Sequence, residues 1–304
     1  MQAVIDIGTN TFQLLIGEVT PQGILVYYKE DRFVRLGKGG ISKGEITSEA
    51  IDRAIDTLLY FRGICLEKGI HQITAIATSA LRSAENQVEV LQLIQEATHI
   101  SIEVINGEQE AEYIYEGVKS EVTITTPTLI MDIGGGSIEF IHCDQQKVLW
   151  KQSFEIGAQR LYDQFMLEDP ISNEHISAMN DYLKERLNPL LQYLKDGKHT
   201  TSSLIGSAGT FDTLQLIQEK KSGTQASTPF ILSMEDYTSL HERLITSPRN
   251  KRLEIPGLIP ERVDMIVPAS CALHFIMKAL SIQEIVISTA ALREGILVKT
   301  SRHL

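Results

Sequence analysis

Ala3-Val4-Ile5-Asp6-Ile7-Gly8-Thr9-Asn10-Thr11 is answered in the second half of the chain by Leu129-Ile130-Met131-Asp132-Ile133-Gly134-Gly135-Gly136-Ser137. Each is an apolar, β-prone run that ends in Asp-Ile-Gly and then in small or hydroxyl residues. A strand that stops this way leaves an acid at its end and a turn whose backbone N–H groups no side chain obstructs. Such a turn can cradle phosphate oxygens while the acid, Asp6 or Asp132, holds a Mg²⁺ or its waters. One copy means little, because Asp-Gly and Gly-Gly turns are ordinary hairpin chemistry. Two copies, each opening an equivalent unit, are specific, and they predict a cleft between two lobes with one loop from each side.

The segments downstream of each copy match too. After the first come β-like runs at 12–19 and 24–36 and an amphipathic helix near 48–68, with Ile51, Ile55, Leu58 and Leu59 on one face. Strand, helix, strand and helix succeed one another at 73–78, 86–97, 102–105 and 108–118. After the second come β-like runs at 138–143 and 148–154, helices over 159–166 and 173–194, and a strand at 203–205. Helices starting at Thr210, Glu235 and Glu261, a strand at 285–287 and a last helix from Ala291 complete it. Three antiparallel strands and then alternating helix and strand, twice over, is an α/β pair of domains with mixed sheets. The polar stretch 120–128, with Pro127, separates them. The expected domains are 1–124 and 125–304, with the helix at about 291–304 free to pack back on the first. Ser172 or Asn173, Ser233 and Pro260 mark helix starts, and Pro189 should break the helix over 173–194.

Composition narrows the function. Of 304 residues 43% are hydrophobic and 22% charged, the balance of a globular protein. Cys65, Cys143 and Cys271 are few, odd in number and far apart, which argues against a disulfide framework or a zinc site and for a reducing compartment. The chain opens on a strand-like run without a basic leader, and its longest apolar stretch, 266–280, is interrupted by Pro268, His274 and Lys278, so the expected location is the cytoplasm. A net charge of −11 counts against nucleic-acid or membrane partners. It also means that a polyanionic substrate needs a local cluster of basic and N–H groups.

Four further segments carry candidate chemistry, each with a plainer reading. Gly206-Ser207-Ala208-Gly209-Thr210 can hold a phosphate on its amides and helix N-terminus, or be an ordinary strand-to-helix turn. In Gly107-Glu108-Gln109-Glu110-Ala111 the acids complement a helix dipole, or one of them activates water. Thr78-Ser79-Ala80-Leu81-Arg82 ends a strand with two hydroxyls and an Arg able to clamp phosphate. Arg32, Arg35 and Lys38 flank a glycine turn, where Lys38 reads as a solvated hairpin end.

Taken together and in this order, these segments, with Arg35-Leu36-Gly37, Glu139 and Ala291-Leu292-Arg293-Glu294-Gly295, resemble the exopolyphosphatase/guanosine pentaphosphate phosphohydrolase family of the actin-like ATPase superfamily. The resemblance covers the whole chain. It implies two actin-like (ribonuclease H-like) domains with mixed five-stranded sheets and an interdomain cleft. It makes Glu110 the acid that activates the attacking water, and Asp132 and Glu139 the pair that positions Mg²⁺ (Mn²⁺ as alternative) and water, with Asp6 as a further metal candidate. Gly8, Thr9, Asn10 and Thr11, and Gly134, Gly135, Gly136 and Ser137, become phosphate loops. Arg82 becomes a clamp, and Gly206, Ser207, Gly209 and Thr210 a further substrate-binding turn. The implied activity is Mg²⁺-dependent release of terminal orthophosphate from inorganic polyphosphate, with guanosine pentaphosphate as the alternative substrate and a homodimer left open. An actin-fold sugar or acetate kinase and a non-enzymatic sensor of a phosphorylated ligand are the competing classes. The chain departs from the family pattern at Gln109, where Glu is frequent, and at Thr289-Ala290, where many members carry Asp-Gly. It stops soon after Gly295, as a short two-domain form.

Overall fold

The computed structural model describes residues 1–197, 201, 203–224 and 229–301. It divides into two compact units, Met1–Ser120 together with the C-terminal segment from Ala290, and Glu121–Thr289.

In the first unit β1 (Gln2–Ile7), β2 (Phe12–Thr20), β3 (Gly23–Arg32), β4 (Ile73–Ala77) and β5 (Ile102–Val104) form a sheet ordered β3-β2-β1-β4-β5. β1 to β3 are antiparallel neighbours, while β4 lies parallel to β1 and β5 parallel to β4. β1 is central, which is why it reads as an unbroken apolar run: every residue from Ala3 to Ile7 is buried. β3 ends at Arg32, short of the run expected to Leu36, because the chain turns at Arg35, whose φ is 53°. The helix Ser48–Glu67 is capped by Thr47, whose hydroxyl accepts from Ala50 N–H. It packs Ala54, Leu58, Phe61 and Cys65 into the core.

The last helix, Leu292–Ser301, lies on β1 and β2. Its Arg293 reaches back to Asp31 at 2.5 Å and bonds Glu294 at 3.1 Å, while Lys29 stands 3.3 Å from Glu294. Arg293 and Glu294 are both buried, so each charge depends on the others for compensation. The Ala291–Gly295 motif therefore serves to fasten this helix.

In the second unit β6 (Thr128–Ile133), β7 (Ile138–Cys143), β8 (Val148–Phe154), β9 (Ser203–Ser207), β10 (Phe230–Leu232) and β11 (Glu284–Ile287) form a sheet ordered β10-β11-β9-β6-β7-β8. The expected five strands are six here. β10 adds an antiparallel edge on β11, and three residues are too few to show a period of two. Near Pro189 the chain does break its long helix, into Asn173–Arg186 and Asn188–Asp196, with the proline in the first turn of the second. Of the two candidates Ser172 and Asn173, Ser172 is the cap, and Ser233 caps as expected. The helix read as starting at Glu261 begins instead at Ile266, and Pro268 is the proline its first turn absorbs. Ser288 Oγ, Thr289 N and Thr289 Oγ1 all donate to the Glu121 carboxylate, so the Thr289-Ala290 departure has a local partner of its own. Among the described residues no helix is long and apolar enough to cross a membrane.

Candidate functional site

The two Asp-Ile-Gly segments fold alike. Gly8 N–H donates to Thr11 O at 3.1 Å, and Gly134 N–H donates to Ser137 O at 3.0 Å. Each turn joins two antiparallel strands, closing Ile7 on Phe12 and Ile133 on Ile138.

Each turn is also held from one side by its carbonyls. In the first unit Thr9 O accepts from Gly37 N–H at 2.9 Å and Asn10 O from Arg35 N–H at 2.8 Å, which joins two segments that the sequence showed only as separate motifs. In the second unit the carbonyls of Gly134, Gly135 and Gly136 accept from the N–H groups of Ala158, Gln159 and Gly157, at 2.9, 2.8 and 3.0 Å. These donors open the helix Ala158–Phe165. A trans peptide points its C=O and the next N–H in opposite directions. With the carbonyls so engaged, the amides of Asn10 and Thr11, and those of Gly135, Gly136 and Ser137, point the other way. Among the described residues those five N–H groups donate to nothing in the protein. Asn10 Oδ1 is likewise buried with no hydrogen-bond partner. Within each unit, consecutive unused amides of this kind form an anion-binding nest. Gly157 is required for the second arrangement, since a Cβ there would lie 2.5 Å from Gly135 C and O and from Gly136 C.

The acids are placed differently in the two copies. Asp6 faces Gln13 across β1 and β2, whereas Asp132 faces Glu139 across β6 and β7. Both carboxylates of the second pair are buried. Ser207 Oγ donates to Asp132 Oδ2 at 2.8 Å, and Ser153 Oγ donates to Glu139 Oε1 at 2.6 Å. Burial, and then the charge of Glu139, push the Asp132 carboxyl up to about 7, against the opposing pull of the Ser207 bond. Two buried carboxylates side by side are costly unless a cation accompanies them. Among the described residues no cluster of three or more His, Cys, Asp or Glu converges to hold a metal ion. A cation on Asp132 and Glu139 would thus draw the rest of its shell from water and substrate oxygens. That is the ordinary habit of Mg²⁺, so the residues present fit it.

In the first unit Glu110 is buried in the opening turn of the helix Gly107–Glu121, while Glu108 is exposed. Asn106 and Gln109 cap that helix reciprocally: Gln109 N–H donates to Asn106 Oδ1 at 2.9 Å and Asn106 N–H to Gln109 Oε1 at 3.1 Å. Gln109 therefore has a capping role that needs no charge. Arg82, expected as a substrate clamp, donates to Glu110 Oε2 at 2.7 Å and to Ile105 O at 3.3 Å. The two side chains given separate roles are in contact. Arg32 is occupied elsewhere, bonded to Glu30 at 2.9 Å with its guanidinium 3.5 Å above the Tyr60 ring.

The Gly206–Thr210 turn leads from β9 into the helix Ala208–Ser222. The hydroxyl of Ser207, a residue expected to bind substrate, is given to Asp132, and Thr210 Oγ1 lies 3.4 Å from Ile133 O. Sequence reading missed Arg262. Its guanidinium lies so close over Gly209 that a Cβ there would sit 1.9 Å from Nη1, which places a cation beside the turn. Only proximity in space reveals it. Ser153 was missed for the same reason.

Known proteins match this chain along nearly its whole length. A family model described as the Ppx/GppA phosphatase family matches residues 15–303. An exopolyphosphatase crystal structure from Cytophaga hutchinsonii superimposes with a TM-score of 0.94 at 41% identity, covering 99% of this chain and 98% of that one. A Haemophilus influenzae protein named "Putative exopolyphosphatase" is 28% identical over 302 residues, 99% of this chain and 91% of that protein. A Ppx/GppA family member from Aquifex aeolicus shares the fold, with a TM-score of 0.81 at 23% identity, covering 99% of this chain and 97% of that one.

Proposed function

The chain belongs to the Ppx/GppA phosphatase family and hydrolyses phosphoric anhydride bonds, and from that premise we propose that it releases terminal orthophosphate from inorganic polyphosphate with Mg²⁺. The observation that supports this most is that the glycine turn of each unit leaves consecutive backbone amides undonated. Turns of this kind recognise anionic oxygens through the backbone alone, which suits a substrate made only of phosphate.

In this reading Glu110 accepts the proton of the attacking water, while the water oxygen bonds to the terminal phosphorus and the bridging P–O bond breaks. As found, Glu110 is held by Arg82, which weakens it as a base. A substrate phosphate competes for the same guanidinium and releases the carboxylate, so that the base becomes active only when substrate is present. The amides of Asn10 and Thr11 and of Gly135 to Ser137 donate to phosphate oxygens and stabilise their charge. Asp132 and Glu139 would hold the Mg²⁺, and when bound it supplies positive charge to the oxygens of the transferred group. Ser207 and Ser153 fix the two carboxylates in place.

The test is phosphate release by the purified protein from polyphosphate of defined length and from guanosine pentaphosphate, side by side, with and without Mg²⁺. Faster turnover of guanosine pentaphosphate would replace polyphosphate as the substrate. Release unaffected by removal of divalent cations would overturn the metal assignment.

A further inference from the structure

The second unit holds an open groove of about 530 Å³ that has no place in the chemistry above. Three helices line it: Asn173–Arg186 through Asn173, Ile176 and Asn180, Met234–Thr246 through His241 and Ile245, and Ile266–Leu280 through His274, Phe275, Lys278 and Ala279. Its volume is that of a small-molecule site. It contributes apolar surface, two amides, two imidazoles and one ammonium, and no carboxylate is among its lining residues. In a chain with 39 acids against 28 lysines and arginines, this is a local reversal of sign.

Its aromatic side is already ordered. The His241 and His274 rings stack with centroids 4.1 Å apart and planes 11° from parallel, and Tyr237 lies beside both. Ser270 Oγ fixes His241 Nδ1 at 2.8 Å. His274 Nδ1 is buried with no hydrogen-bond partner. Lys278 makes no ion pair among the described residues. A flat ring continues the imidazole stack, and an anionic head answers Lys278. We propose that this groove binds a small aromatic carboxylate, as a second ligand site separate from the phosphate loops. It also has a physical line to the Gly206–Thr210 turn. Lys278 stands near the C-terminal end of the helix Ile266–Leu280, and Arg262, against Gly209, precedes its first turn. The helix carries about 18 Å between its start and Lys278, at ~1.5 Å per residue.

The site is linked to protons. Burial, then His274 and Lys278, hold His241 down to about 4, and burial and Lys278 also lower His274, with Glu242 acting in the opposite sense. Both rings are neutral at pH 7. An anion in the groove favours their charged forms, so its binding takes up protons and tightens as pH falls.

Calorimetric titration of the full chain with 1-naphthoate, and with uncharged 1-naphthamide, tests the proposal, together with NMR of the histidine Cε1–H signals. Naphthoate should bind, shift the His241 and His274 signals, and bind more tightly at pH 5 than at pH 7. Naphthamide should bind ~10-fold more weakly, as should naphthoate to Lys278→Glu, which reverses one exposed charge. Ala279→Trp should block the groove without altering its charge. The proposal fails if millimolar naphthoate gives neither heat nor histidine shifts. It also fails if acid and amide bind alike, or if Lys278→Glu and Ala279→Trp leave the binding unchanged.

Discussion

Arg82 Nη1 lies 2.7 Å from Glu110 Oε2, and the carboxylate it holds is buried in the first turn of its helix. The sequence separates the two by 28 positions. The pair sets the opening expectation. Glu110→Gln keeps the shape and most of the hydrogen bond but removes the charge. Its kcat should fall ~100-fold or more, the usual scale for loss of a general base, with KM little changed. Arg82→Ala should raise KM as well as lower kcat if its guanidinium takes the substrate phosphate, as proposed. Steady-state kinetics separate the two patterns. Near-normal turnover in Glu110→Gln would move the base elsewhere, with Glu108 the next residue to test.

The Asp132 carboxyl, raised from an ordinary 3.8 to about 7, binds a proton in the folded protein where the unfolded chain has released it. Its contribution to stability is complete below about pH 4 and is lost as pH rises toward 7. Without metal, Asp132→Asn should therefore be more stable than the parent at pH 8, by on the order of 1–4 kcal/mol, and nearly equal to it at pH 4. Melting curves in chelated buffer across that range check the sign. A variant less stable at pH 8 would mean the carboxylate is not held at a cost.

Metal dependence should run through a hydroxyl. EDTA should abolish activity and Mg²⁺ or Mn²⁺ restore it. Ser153→Ala removes the donor that orients Glu139, and should raise the Mg²⁺ concentration for half-restoration ~10-fold. Equal metal requirements in the variant and parent would place the cation away from Glu139.

Gly157→Ala tests the glycine turn of the second unit. The added methyl meets the backbone of Gly135 and Gly136 at 2.5 Å, which no rotamer change can relieve. The cost should be ~1–3 kcal/mol of stability. The three amides would be displaced as well, so KM should rise more than the lower melting temperature explains. A variant with parental KM would show that the Gly135–Ser137 amides do not touch substrate.

The duplicated strand-turn-strand was legible because strands, glycine turns and acids occupy neighbouring positions, and period and turn chemistry are local. The contacts that define the chemistry were not. Ser207 reaches Asp132 across 75 positions, and Arg262 comes to rest on Gly209 from a separate loop. Such pairings are set by strand order and helix packing, which the pattern of apolar residues constrains only loosely. The misplaced helix start has a similar cause. Pro260 and Pro268 both suit a first turn, and the choice depends on Val263, Ile266 and Val267 being buried, which only the folded chain decides.

The position across the sheet from the acid differs between the copies: Gln13 opposite Asp6, Glu139 opposite Asp132. The turn hydrogen bond beside them is the same in both, within 0.1 Å (3.1 against 3.0 Å). Backbone form and side-chain chemistry have thus drifted apart inside one polypeptide. The two halves share a strand-turn-strand architecture, and at the position facing the acid they differ by one carbon chain ending in an amide or an acid. Gln and Glu are nearly isosteric, but each is tied to its own half: Gln13 donates to Asp31 at 3.0 Å, and Glu139 accepts from Ser153 at 2.6 Å. The molecule carries its own control in that way: one half shows what the scaffold is without the second charge, the other what it becomes with it.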